Sequence, residues 1–194
     1  DLIQSKPQRI LDGKGKFKEL TIDKGGEKIA FIGDVSNDKK KEETNYSLYY
    51  WNKEGQVKII TDNSNTAIPE NWEISENGRL SFSDNGNRLF FGTAPKKAPK
   101  DTTILEEEIP VLDIWHWNEE ELQSVQIVNK SRDSKKSYLA VFHFGDEKMV
   151  QLETQEFSYI RQIKKGDSDK LVAVSNRPYA VQSMWEGGPD HYDF

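Results

Sequence analysis

The residues with the clearest chemical potential are two tryptophans in a short alternating run. Trp115 and Trp117 are two positions apart, so in a β-strand both side chains point to one face and His116 points to the other. Paired indole rings can form a stacking platform for a sugar or a peptide proline. The alternative, which we favour, is that the pair packs in a core or between neighbouring sheets.

The remaining polar clusters do not form a catalytic or metal site by their spacing. His116, His143 and His191 are dispersed, and none has a second ligand at the spacing typical of metal sites. Glutamates adjoin one another at residues 106–108 and 119–121. The sequence indicates no apolar pocket that would give neighbouring carboxyl groups different pKa values, as a general acid and a general base require. We therefore expect no catalytic residue, no cofactor and no metal ion in this chain.

Two long loops are the best candidates for binding. Residues 34–45 and 93–110 are both polar, and the second contains three prolines among its lysines, which is typical of an extended surface segment. In the strand order derived below, both loops connect the second and third strands of successive sheets, so both leave on the same side. We expect this rim to face a partner domain or a ligand, with solvated loops as the alternative; its candidate residues are Lys96, Lys97, Lys100, Trp115 and Trp117.

Short strands, not helices, must position these residues. Apolar and polar residues alternate in brief runs bounded by Gly, Asn and Asp, the pattern of half-buried antiparallel strands. Glycines at a tight turn, such as Gly25 and Gly26, adopt a positive φ without steric strain and favour a hairpin. The first four predicted strands form two successive hairpins, at residues 17–22, 28–32, 46–51 and 56–60.

The same order of strands then returns. Residues 28–31 (Lys-Ile-Ala-Phe) match residues 88–91 (Arg-Leu-Phe-Phe) at an offset of 60, and residues 48–52 match residues 114–118 at an offset of 66. We therefore predict residues 113–118 as the third strand of the second unit. Internal repetition of a small sheet indicates units that stack to complete one another's core.

A third unit begins near residue 159, turns at 165–169 and continues through 171–175, with the chain ending at about its third strand. A clear hairpin at 138–152 either completes the second unit or begins another, and residues 119–126 favour one helical turn. The sequence thus predicts an all-β fold, a partial β-propeller of about three four-stranded antiparallel blades, the last one truncated. Residues 1–194 form one segment, with units at about 15–62, 78–155 and 156–194.

Three segments carry a family resemblance, residues 82–92, 111–117 and 122–126. In this order they resemble the β-propeller region of large bacterial serine peptidases of the prolyl oligopeptidase superfamily, with repeats of the TolB and WD40-like kinds. The resemblance implies a separate α/β-hydrolase domain outside this chain, which carries the catalytic Ser, Asp and His. It also implies that the propeller limits which substrates reach that site, in a periplasmic or secreted protein.

No triad residue can be transferred to this chain. The family's nucleophile lies in a Gly-x-Ser-x-Gly elbow, and no serine here has those neighbours; Ser131, for example, lies between Lys130 and Arg132. We therefore expect a non-catalytic, structural and gating segment of such a peptidase. The alternatives are a stand-alone TolB-like periplasmic propeller that binds a peptide or protein, and a glycan-active enzyme that uses propeller carboxylates.

Composition narrows the range of partners. The net charge is −6, and the one basic run, residues 39–41, is followed at once by two glutamates, so we expect no nucleic-acid partner. No apolar stretch approaches the roughly 20 residues that cross a bilayer, so no membrane partner is expected either. Because two or three blades cannot close a ring, the open blade edges are expected to support self-association.

Overall fold

Three antiparallel sheets follow one another along the chain in the computed structural model, which describes residues 9–35, 44–53, 55–98, 116 and 119–186. The protein is mostly β, as the alternating pattern predicts. Sheet 1 is a four-stranded meander of strands β1 (Lys16–Ile22), β2 (Lys28–Asp34), β3 (Ser47–Asn52) and β4 (Lys58–Thr61). Its two hairpins match the first two predicted from the sequence.

Sheet 2 differs from the prediction in its third strand. It contains β5 (Trp72–Ile74), β6 (Ser81–Phe82), β7 (Arg88–Pro95), β8 (Tyr138–His143) and β9 (Lys148–Gln151). Residues 113–118 were predicted as the third strand, next to β7, but β8 occupies that edge of β7 and β9 pairs with β8. The assignment is therefore wrong, and the hairpin at 138–152 completes the second unit. Except for His116, residues 113–118 lie outside the described part of the chain.

The other edge of β7 is shared by two short strands. β6 pairs with the beginning of β7, and β5, which the sequence analysis missed, pairs with its end. Between them the backbone passes very close to β7 at two glycines. A Cβ placed on Gly78 would lie 2.3 Å from the Cα of Gly92. Because of this close approach, the continuous segment from β5 to β6 lies along the whole of that edge of β7.

The third unit is a two-stranded hairpin, hairpin 3, formed by β10 (Tyr159–Gln162) and β11 (Leu171–Val174). A third strand does not follow directly, because the chain turns through a short 3-10 helix, Arg177–Tyr179, into helix α2 (Ala180–Glu186). The predicted helical turn near 119–126 is a longer helix, α1 (Gln123–Asp133), in the connection between β7 and β8. Among the described residues, no helix is long and apolar enough to span a bilayer.

One continuous core joins sheets 1 and 2. Alternate residues of β2 and β3, including Ile32 and Leu48, pack with Leu89 and Phe91 of β7 and with Phe142 of β8. The opposite face of sheet 2 carries Phe90 and Val141, both buried, and a Cβ placed on Gly166 would lie 2.5 Å from a ring carbon of Phe90. Sheet 2 therefore lies between sheet 1 and hairpin 3.

Candidate functional site

Three turns occupy equivalent positions in the three units. Turn 1 (residues 23–28) follows the pair Ile22 and Ile29, turn 2 (residues 83–88) follows the pair Phe82 and Leu89, and turn 3 (residues 163–170) follows the pair formed by the last residue of β10 and the first of β11. Register therefore equates the final residues of the turns, which are all basic: Lys28, Arg88 and Lys170.

Each turn contains a glycine in the left-handed region, where other residues are strained. Gly26, Gly86 and Gly166 have φ values of 70°, 68° and 88°. Turns 1 and 2 close with the same backbone bond: the amide of Asp23 donates to the carbonyl of Lys28 at 3.0 Å, and the amide of Ser83 donates to the carbonyl of Arg88 at 2.9 Å. The repeat is therefore present in backbone conformation as well as in sequence.

The basic residue that ends turn 1 reaches into turn 2. Lys28 Nζ donates to the carbonyl of Gly86 at 2.7 Å and lies 5.6 Å from the centre of the Phe144 ring. A second lysine of turn 1, Lys24, donates to Asp84 of turn 2 at 2.8 Å. Turn 1 thus supplies cations, and turn 2 supplies a carbonyl and a carboxylate.

Turn 2 contacts turn 3 with the same polarity. Arg88 Nη1 donates to the carbonyls of Gly166, at 2.8 Å, and Ser168, at 2.6 Å, while Nη2 forms a short ion pair with Asp169. The backbone amide of Asn85 donates to Asp167 at 3.1 Å. In both contacts the basic residue that ends one turn binds the carbonyl of the left-handed glycine in the next. We call this contact the turn link.

Asp84 is the acidic centre of the exposed part of this surface. It pairs with Lys24 and lies 3.6 Å from Lys165 Nζ of turn 3. The hydrogen bond from Lys24, followed by the charge of Lys165, lowers the pKa of Asp84, and the same bond raises the pKa of Lys24. These charges hold turns together and form no nucleophile or acid-base pair.

The loop rim is the second candidate site, and we define its described part as Lys18, Tyr46, Glu76, Lys96 and Lys97. Tyr46 precedes β3, and its hydroxyl donates to Glu76 at 2.9 Å, while Lys18 Nζ lies 3.4 Å from the same carboxylate. The hydrogen bond from Tyr46 and the charges of Lys18 and Lys97 lower the pKa of Glu76. Since Lys97 follows β7, the described ends of both long loops lie on one side.

The predicted rim residues are only partly described. Lys96 and Lys97 are exposed, and the backbone amide of Lys96 donates to the carbonyl of Asn71 at 2.8 Å. Lys100, Trp115 and Trp117 lie outside the described residues, so their part in a binding rim stays a prediction. Within the described ranges, no three His, Asp or Glu side chains are grouped closely enough to hold a metal ion.

Tyr46 gives the rim a measurable pH dependence. Burial and the hydrogen bond to Glu76 raise the pKa of Tyr46 from 10.0 to about 12. Because the folded protein keeps this proton more tightly than the unfolded chain, the stability it contributes is full below pH 10 and falls as pH rises through 12. We expect wild type to lose about 2 kcal/mol more than Tyr46→Phe over that interval.

The measurement is urea denaturation of both proteins at a series of alkaline pH values. The stability difference between them should shrink as pH rises, while ionisation of other groups cancels in the comparison. Tyr159→Phe, which removes an exposed hydroxyl, is the matched control. Parallel curves for wild type and Tyr46→Phe would contradict this assignment.

Glu153 is a buried carboxylate that sequence analysis missed. Its two oxygens accept the backbone amides of Leu139, at 2.7 Å, and Ile160, at 2.8 Å, which ties β8 to β10. Burial raises the pKa of Glu153. Because both oxygens bind backbone amides, the carboxylate acts as a structural link. Its neighbours in sequence show no motif that would have distinguished it from a surface glutamate.

The outer face of sheet 1 carries a shallow apolar cavity of about 360 Å³. It is lined by Ile10, Leu11, Phe17, Leu20 and Phe31, with Lys18 and Glu19 at its edge. Phe17 and Leu20 remain 46% and 64% exposed. This face is the one turned away from sheet 2, because the core residues of β2 point to the other side.

Comparison with known proteins does not assign either surface. The described surfaces offer backbone carbonyls, paired charges and an open apolar face, which are groups for binding and packing. Among their described residues, the turn link and the loop rim contain no hydroxyl paired with a histidine, the arrangement that activates the serine of a Ser-His-Asp triad. Searches of protein-family models, of curated proteins and of solved structures found no match for this chain.

Proposed function

We propose that this chain is a non-catalytic segment of a β-propeller, with sheet 1, sheet 2 and hairpin 3 as successive blades. Its role is structural and substrate-gating, beside an α/β-hydrolase domain that lies outside this chain. The observation that carries the proposal is the turn link, which joins Lys28 to Gly86 and Arg88 to Gly166 in the same way.

The repetition of this contact bears directly on architecture. If equivalent atoms join unit 1 to unit 2 and unit 2 to unit 3, the two pairs of units are related by similar rotations. Successive similar rotations about one axis are how blades are arranged in a propeller. The order of packing, with sheet 2 between its neighbours, agrees with the same arrangement.

The loop rim supplies the gating part of the proposal. Lys96 and Lys97 are exposed at the end of β7, and the charge of Lys97 acts on Glu76, the acceptor of the Tyr46 hydroxyl. Charged groups at a rim attract or repel a peptide before it binds. The resemblance to prolyl oligopeptidase-like propellers names the kind of neighbour, a peptidase domain, whose substrates would pass this rim.

A stand-alone binding propeller of the TolB type is the second candidate, and helix α1 favours it. This helix has no buried residue, and Val128 on it is 81% exposed. It belongs to the same connection as Lys96 and Lys97, so cations and apolar side chains are offered by one connection. Such a combination suits an acidic peptide or protein ligand.

The double variant Lys96→Glu/Lys97→Glu tests both forms of the proposal. In the complete peptidase, we expect kcat/KM for long acidic peptides to fall about fivefold, and a dipeptide-sized substrate to change by less than about twofold. In the isolated chain, binding to immobilised acidic peptides should weaken similarly. Lys53→Glu/Lys148→Glu is the matched control, because both lysines are exposed at the opposite ends of their strands.

The two readouts distinguish the candidates. Equal effects on long and short substrates would contradict gating, and an effect confined to the isolated chain would favour the stand-alone module. A fluorophosphonate probe, which labels activated serines, should leave the isolated chain unmodified. Stoichiometric labelling would contradict a non-catalytic role.

A further inference from the structure

Each turn link consists of a donor side chain and an acceptor carbonyl. In the described chain, one further donor and one further acceptor occupy equivalent positions without forming a turn link. Lys28 and Arg88 are the donors in use, and both are half-buried. Lys170 has the equivalent register position, because it directly precedes Leu171, the partner of Gln162. Lys170 is exposed, and the described chain contains no fourth turn whose glycine carbonyl it could bind.

The further acceptor lies at the other end, in turn 1. Gly86 and Gly166 are both buried, Gly86 against the Lys28 side chain and Gly166 against Phe90. Gly26 has the same left-handed backbone but is exposed, and a Cβ placed on it would have no atom within 4 Å. Turn 1 therefore presents the surface that turns 2 and 3 have covered.

We propose that a second copy of this chain docks here head to tail, with Lys170 of one copy donating to the carbonyl of Gly26 in the other. Charge also fits this arrangement. Glu27 follows Gly26 as Asp167 follows Gly166, and Asp167 already accepts a hydrogen bond from turn 2. Lys170 would thus meet a carbonyl with a carboxylate nearby, as Arg88 meets the carbonyl of Gly166 and the carboxylate of Asp169 in turn 3.

One difference makes this contact weaker than the links within the chain. The position of Asp84 in turn 2 is occupied by Lys24 in turn 1, so the ion pair between Lys24 and Asp84 has no counterpart. The apolar cavity on the outer face of sheet 1 adds area in compensation, since it lies on the side that faces the incoming copy. Hairpin 3 brings Tyr159, which is 60% exposed.

A head-to-tail contact is heterologous, so its product is a closed ring or an open filament. This distinguishes it from an ordinary two-fold dimer, which would use the same patch on both copies. We expect association that rises with concentration and extends beyond the dimer. The contact does not depend on what the loop rim binds.

Sedimentation velocity over a concentration series provides the first test. Lys170→Glu should weaken association about tenfold, because a charge-assisted hydrogen bond is lost and a repulsion with Glu27 replaces it. Lys135→Glu, an exposed lysine with the same charge change, should associate like wild type. A monomer at all concentrations, or association unaffected by Lys170→Glu, overturns the proposal.

Cross-linking provides the second test, and the absence of cysteine gives it a clean background. A chain with Lys170→Cys mixed with a chain with Glu27→Cys should form a covalent dimer with a short bismaleimide. The within-chain control is Lys28→Cys/Asn87→Cys, whose positions are equivalent across the first turn link. If only the control cross-links, the stack of units stands and the proposed self-association is wrong.

Discussion

Arg88→Met is expected to destabilise the protein by about 3 kcal/mol, because this one side chain makes three of the contacts between turn 2 and turn 3. The guanidinium binds two backbone carbonyls and Asp169, and the side chain is only 19% exposed. Methionine keeps most of the apolar stem but leaves the buried Gly166 without its donor. Hairpin 3 should therefore lose protection before sheets 1 and 2.

Urea denaturation followed by hydrogen exchange checks this result. We expect faster exchange in β10 and β11 and little change in sheet 1. Arg88→Lys should be intermediate, since an ammonium retains the charge but lacks the planar fork that reaches several acceptors. Arg161→Met, an exposed arginine in β10, is the matched control. Equal loss of stability in both methionine variants would contradict the role given to Arg88.

Gly92→Ala is expected to be at least as damaging, at about 3 kcal/mol, because the new methyl group has no space. Its Cβ would lie 2.4 Å from the Cα of Gly78, and backbone cannot move aside as a flexible side chain can. Relief requires β7 to separate from the segment between β5 and β6. The bond from the Ser75 amide to the Gly92 carbonyl, 2.9 Å long, would break in the process.

Thermal denaturation provides the measurement, with Gly145→Ala as the matched control because its Cβ would meet no atom within 4 Å. The control is expected to be neutral or slightly stabilising, since alanine restricts the unfolded chain. Gly78→Ala should resemble Gly92→Ala, and the double variant should fall well short of their sum. Additive losses would show that the two glycines are not in contact.

The local elements of this fold were predictable from sequence, whereas pairing across long connections was not. Alternation and the glycine turn at residues 23–26 specify the hairpin of β1 and β2, because both signals lie within a few residues. The third strand of sheet 2 was misassigned because residues 114–118 match residues 48–52 in type. Only packing decides that Phe142 and Ala140 are the partners of β7.

The site shows the same division. The alignment of Lys28 with Arg88 was visible in the sequence. It did not show which atoms of the neighbouring turn each side chain contacts, so the turn links were not predicted. Lys96 and Lys97 of the loop rim were named from loop length and composition, whereas the contact between Tyr46 and Glu76 in the same rim was not predicted. Helix α1 is longer than the single helical turn that was predicted. None of its residues is buried, so no buried apolar face marks its valines and isoleucine as part of a helix.

The turn link also has a bearing on how such a chain could grow in evolution. Every unit carries a basic residue and a left-handed glycine at equivalent positions, and in both observed links the basic residue of one unit binds the glycine carbonyl of the next. Tandem duplication of one unit therefore copies both complementary parts at once, and the added unit already fits its neighbours. Lengthening the array would then need no new recognition chemistry, only retention of one cation and one left-handed glycine per duplicated module.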